Sequence, residues 1–212
     1  MDHNAEIAAA AKSILAPIGC KRKGRSRMWI DDHGWWVGIV EFQPSGWSKG
    51  SSLNVSASYL WKPAFAESTW SFDALIGPRP WHPAIKGESY VEQATALASL
   101  ARDSLKNLRD HHRSTDLAGS WLQSQWNDRN PWHSYHLGIA FGLAGQVKTG
   151  QRYFRLEVNP SSRDECAAAL SRESEAYAAL IEDQRAFKDA ILGRIQATRN
   201  ALKLPTVETL EG

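Results

Sequence analysis

The chain has 212 residues, 42% of them hydrophobic, a formal net charge of +2 and two cysteines. That length buries a sizeable core without staples, and Cys20 and Cys166 lie too far apart to read as a disulfide framework. The near-neutral charge excludes a protein that coats phosphates by bulk charge. No apolar run approaches the roughly 18 residues of a membrane span, and the acidic start Asp2-His3-Asn4-Ala5-Glu6 is unlike a secretory leader, so a cytoplasmic protein with no membrane partner is expected.

Residues 4–18 read as a helix, with Ile7, Ala10 or Ala11, Ile14 and Ile18 at helical spacing and Pro17 and Gly19 closing it. A basic turn follows, carrying Lys21, Arg22, Lys23, Arg25 and Arg27, and no acid stands between Glu6 and Asp31. Three strands are predicted at 27–31, 35–43 and 51–61, and a fourth at 69–75. In the third, Leu53, Val55, Ala57, Tyr59 and Trp61 alternate with Ser52, Asn54, Ser56 and Ser58, which predicts one face on a core and one in water. Residues 31–34 and 44–46 are the turns. Of the 10 tryptophans, Trp29, Trp35, Trp36, Trp47, Trp61, Trp70 and Trp81 precede residue 90.

The Pro- and Gly-rich stretch 77–87 reads as a loop between strands and helices. Ser89 and Glu92 form a capping box for a helix reaching His112, with Val91, Ala94, Leu97, Ala101, Leu105 and Leu108 on one face. A shorter helix is expected over 116–126. Residues 132–158 read as a helical hairpin turning at Gly145, and their Leu137-Gly138, Phe141 and Phe154 resemble a single tetratricopeptide unit. One unit makes no stacked array. A second capping box, Ser162 with Glu165, opens a last helical region with a stripe of Cys166, Leu170, Tyr177, Leu180, Phe187, Ile191 and Ile195, broken near 182–185. The expected fold is therefore α+β: an N-terminal helix and a small antiparallel sheet of three to four strands, then a helical C-terminal half. The expected division is an α+β domain over 1–115, helices packed on it over 116–204, and a frayed tail over 205–212.

The order of helix, Ile18-Gly19-Cys20-Lys21-Arg22-Lys23-Gly24-Arg25, aromatic strand, Val37-Gly38-Ile39-Val40-Glu41-Phe42-Gln43 and Leu53-Asn54-Val55 resembles the bacterial domain-of-unknown-function family numbered 4304 over about residues 5 to 115. The resemblance implies a small bacterial α+β domain and brings no functional residues with it.

Chemistry-bearing patterns point away from an enzyme, and no cofactor is expected. Gly46-Trp47-Ser48-Lys49-Gly50 matches a nucleophile elbow, but such an elbow turns a strand into a helix and here a strand follows. Residues 19–26 match a phosphate loop spelled with Arg, in the reverse order of elements. His133 and His136 share a helix face, and with His111 and His112 would make a four-imidazole site, unless His136 is an interfacial residue with its ring nitrogen bonded to a carbonyl. Cys166 reads as core, and Cys20 beside Lys21 and Arg22 as an acidified thiol if exposed. The basic turn followed by Trp29 reads first as a solvated turn with Trp29 inside; it also has the mix of cation and aromatic face that single-stranded nucleic acid uses, and the charge to meet an acidic protein surface. Trp47 and Trp81, in loops, are candidate contact residues. The expected function is a protein-interaction module binding an unknown protein, or a second copy through its C-terminal helices, with nucleic acid as the alternative partner.

Overall fold

The computed structural model describes residues 3–44, 49–85, 88–125, 130–156 and 165–209. It is an α+β protein with an N-terminal helix, an antiparallel sheet and a helical C-terminal half. It divides into two compact units, Met1–Ser58 with Ala74–Asp110, and Tyr59–Asp73 with His111–Gly212.

In the first unit, alanine-rich α1 (His3–Leu15) has Glu6 in its first turn and Lys12 in its last, each favourable to the helix dipole, and it buries Ile7, Ala11 and Leu15. A 3-10 turn over Ala16–Ile18 ends at Gly19, whose φ of 95° only glycine adopts without cost. The chain then runs as a meander, β1 (Lys21–Arg22), β2 (Met28–Asp32), β3 (Trp36–Pro44) and β4 (Gly50–Tyr59), with β5 (Ala74–Leu75) and β6 (Trp81–Pro83) both paired to β4. The sheet thus has six strands rather than three or four. Two differences from the expected reading account for this. Lys21 and Arg22, read as turn, pair with Ile30 and Trp29. Residues 81–83, read as loop, pair with Ser52, Ser51 and Gly50.

The segment 74–83 is in effect one edge strand running along β4, pushed off it by a bulge at Gly77-Pro78-Arg79; Ile76 N–H still donates to Val55 O and Leu53 N–H to Pro80 O. The predicted strand over 69–75 shrinks to Ala74 and Leu75. The alternation in β4 does not separate core from water, because Asn54, Ser56 and Ser58 are buried as thoroughly as Leu53, Val55 and Ala57. Small serines permit this when their hydroxyls find partners. Ser56 Oγ donates to Ala57 O and accepts from Ala74 N–H.

Helix α2 (Val91–His111) covers the sheet through Ala94, Leu97, Ala98, Ala101, Leu105 and Leu108. A side chain at Gly38 would meet Leu105 Cδ2 at 2.8 Å, which places α2 against the centre of β3. Val91, assigned to that face from its spacing, is instead 52% exposed at the first turn. Ser89 Oγ accepts from Val91 N–H, and Tyr90 N–H donates to Glu6 Oε2 of α1.

The second unit holds α3 (Thr115–Ser124), α4 (Pro131–Leu143), α5 (Val147–Phe154), α6 (Glu165–Leu180), α7 (Gln184–Leu202) and the segment 59–73. The hairpin α4–α5 turns at Gly145, with φ of 78°, and Phe154 packs on Gly138. The last helical region breaks as expected, at Asp183, whose side chain caps α7 by accepting from Ala186 N–H. Ser162 of the second capping box lies outside the described residues. Beyond α7, Arg199 donates to Pro205 O and Val207 N–H donates to Gln196 Oε1, tying residues 205–207 back to the helix.

Candidate binding surface at one end of the sheet

In the meander, alternate connections fall at the same end. The turn 23–27, the end of β3, the start of β4 and the chain leaving β6 therefore share one end of the sheet. Backbone bonds draw these connections together: Phe42 N–H donates to Arg27 O, and Ala84 N–H donates to Lys49 O. The side chains there are of two kinds. Lys23, Arg25 and Lys49 are exposed cations, and exposed Arg22 and Lys21 stand one and two residues up β1 from the turn, opposite Trp29 and Ile30. Trp81, at 40% exposure, and Ile85, at 59%, are exposed apolar groups.

The basic turn is built by its own hydrogen bonds. Lys23 N–H donates to Met28 O, and Ser26 N–H and Oγ both donate to Lys23 O. Arg22 Nε and Nη2 donate to the carbonyls of Ser26 and Arg25 at 2.8 and 3.2 Å. Among the described residues neither Lys21 nor Arg25 has an acid partner, and Arg22 bonds only backbone carbonyls. Lys21 and Arg25 therefore stand beside an ordered turn with no acid partner among the described residues. Arg27 is half-buried, with Nη1 donating to Phe42 O.

Trp29 is 4% exposed. It pairs with Val40, on the sheet face that Gly38 presents to Leu105 of α2. The cation–aromatic stacking read for single-stranded nucleic acid is thus not assembled at this turn. Trp47 and Ser48 lie outside the described residues, and Gly50 after them opens a strand. Trp81 lies on β6, its indole over Gly50, where any Cβ would stand 2.8 Å from Cζ2 and 2.4 Å from His82 O.

The histidines do not join this surface. They belong to the second unit, where Tyr59, Trp61, His112 and His136 form a buried cluster. Trp61 Nε1–H donates to His136 Nδ1 at 3.1 Å, which leaves the proton of the neutral ring on Nε2, and Asp73 Oδ1 is 3.8 Å from that atom. Burial pushes His136 down to about 4, against the pull of Asp73 and with help from His133 and Lys62. Burial also lowers half-buried His133, opposed by Asp73. His112 Nε2 shares a hydrogen bond with Tyr59 OH at 2.9 Å, and His111 stacks on Trp121. Among the described residues no group of three or more His, Cys, Asp or Glu side chains is placed to hold a metal ion. His136 is bonded through its ring, but as an acceptor from the Trp61 indole N–H and not to the carbonyl expected, and it is fully buried.

Cys20 is 4% exposed, and burial, reinforced by Asp31, pushes its thiol up to about 12, so the acidified thiol is not formed. Cys166, read as core, shares the helix side of Leu170 but is exposed, because it stands in the first turn of α6.

Two features went unread in the sequence. Asp31, 4% exposed, receives Arg109 Nε and Nη2 and His33 Nε2, each at 2.8 Å. Burial alone would raise its carboxyl, yet these bonds hold it below the usual carboxylate range. Pairing over 78 positions leaves no local pattern to read. The other is Ile85, hidden in a Pro- and Gly-rich stretch that gave no strand register.

No known protein family, curated protein or solved structure is similar enough to this chain to give a match.

Proposed function

We propose that this chain is an interaction module rather than an enzyme, and that it docks a protein partner on the loop end of its sheet. The observation that carries this reading is the exposure of Trp81 and Ile85 beside exposed cations. Large apolar groups at such exposure, grouped with fixed polar ones, have the make-up of an interface centre with its rim. The titratable groups that would do chemistry are the ones buried and committed: His136 to Trp61, Asp31 to Arg109 and His33. The apolar stripe of the C-terminal helices, which motivated self-association, supplies Leu170, Tyr177, Phe187, Ile191 and Ile195 to the second unit's own core. This moves the proposed surface to the sheet.

The test compares the tagged chain with its Trp81→Ser/Ile85→Ser variant, both purified from the cells that express it. A stoichiometric partner is expected with the parent chain and at least tenfold less of it with the variant, at unchanged melting temperature. Equal recovery from both, or none from either, overturns the reading.

A further inference from the structure

Resting on that reading, the chemistry of the partner follows from how the surface is laid out. The basic turn belongs to β1 and its junction with β2, while Trp81 belongs to β6 on the far side of β4. Four strand spacings separate β1 from β6, roughly 19 Å at about 4.8 Å each. Lys49 lies between, just before β4. The surface is therefore polarised, with cations at one end and an indole and a branched aliphatic at the other.

We infer that the docking segment of the partner is an acidic polypeptide stretch with a large apolar anchor, its acids on Lys21, Arg25 and Lys49 and its anchor on Trp81 and Ile85. Charge complementarity demands the acids. Lys21 and Arg25 have no acid partner among the described residues, and the turn that carries them is already ordered, so an incoming carboxylate does not have to freeze it. The apolar end demands the anchor, since Trp81 cannot withdraw: it lies on the α-carbon of Gly50 and belongs to a paired strand. Glu88, exposed three residues beyond Ile85, disfavours an acid at that end and so gives the segment a direction. About 19 Å corresponds to roughly six extended residues or about thirteen helical ones.

An unbiased peptide selection on the full chain tests this. Random peptides of about sixteen residues are displayed and enriched on the folded protein, and the winners are measured by fluorescence anisotropy against three proteins: the parent chain, Lys21→Glu/Arg25→Glu/Lys49→Glu, and Trp81→Ser/Ile85→Ser. Arg22 is left intact because it holds the turn, and circular dichroism checks that each variant is folded. The expected winners carry an excess of Asp and Glu to one side of a Trp, Phe or Leu. They bind the charge-reversed protein at least tenfold more weakly, lose affinity with added salt, and bind the apolar variant at least tenfold more weakly. Winners that need Trp81 and Ile85 but show no acidic excess and no loss on charge reversal overturn the acidic partner and leave the interaction reading standing. Failure to enrich any peptide, or binding indifferent to both variants, overturns both. Duplex DNA, and vesicles of phosphatidylserine in phosphatidylcholine, serve as parallel probes. Tighter binding of either than of the best peptide overturns the polypeptide partner in its favour.

Discussion

His136 shows how one hydrogen bond sets a pH response. The indole N–H of Trp61 requires Nδ1 to be an acceptor, so a second ring proton would set two donors face to face 3.1 Å apart. Its folded value of about 4 lies below the 6.5 of free imidazole, so the unfolded chain takes up the proton first. The contribution is complete above pH 6.5 and is lost as the pH falls toward 4, by up to about 3 kcal/mol at 1.4 kcal/mol per unit. In His136→Gln, whose amide oxygen would accept the same indole proton, urea unfolding between about pH 4 and 7 is expected to depend less on pH than in the parent. Equal slopes would refute this. Asp31 acts outside that window: its folded value is already below 3.8, so what it adds is present above that pH and is lost only as the pH falls further.

Among the helices, α4 and α7 make opposite uses of glycine. A Cβ on Gly138 would lie 2.5 Å from the Phe154 ring, whereas one on Gly193 would meet nothing within 4 Å. Gly138→Ala is thus expected to cost about 2 kcal/mol, overpacking outweighing better helix propensity, and Gly193→Ala to add about 0.5–1 kcal/mol. Urea midpoints moving in opposite directions check both. The same elements show why some of the fold was legible. The α4–α5 hairpin and the break before α7 are written in local signals, the turn glycine and the capping Asp183. β1 is too short and too basic to look like a strand, and β6 sits among prolines, so only their partners on β2 and β4 define them. The burial of Ser56 and Ser58 is equally illegible, because hydroxyls look alike until their acceptors are placed. Of the site, the cation cluster was evident in the sequence. That Trp29 turns inward while Ile85 turns outward is decided by register and by contacts distant along the chain.

For the whole chain, neither compact unit is one continuous stretch, because residues 59–73 leave the sheet strands to join the C-terminal helices. Tyr59, Leu60 and Trp61 are 0% exposed. Their partners in that unit, His112, His136 and Tyr135, all come after residue 110. A fragment of residues 1–110 would leave the Tyr59 and Trp61 side chains uncovered, at about 2 kcal/mol each, roughly 4 kcal/mol against a typical total of about 5–15. It is expected to aggregate, whereas the full chain elutes as a discrete species on size-exclusion chromatography. A soluble, cooperatively unfolding fragment would contradict this.

The bulged edge strand constrains how such a molecule can be recognised. Pro83, which faces away from β4, has no N–H to offer, and the bulge at Gly77-Pro78-Arg79 interrupts the margin, so an extra strand or fibril-like stacking along it is disfavoured. Whatever docks nearby is then told apart chiefly by side chains. Specificity can then drift one substitution at a time without shifting the alignment of any strand.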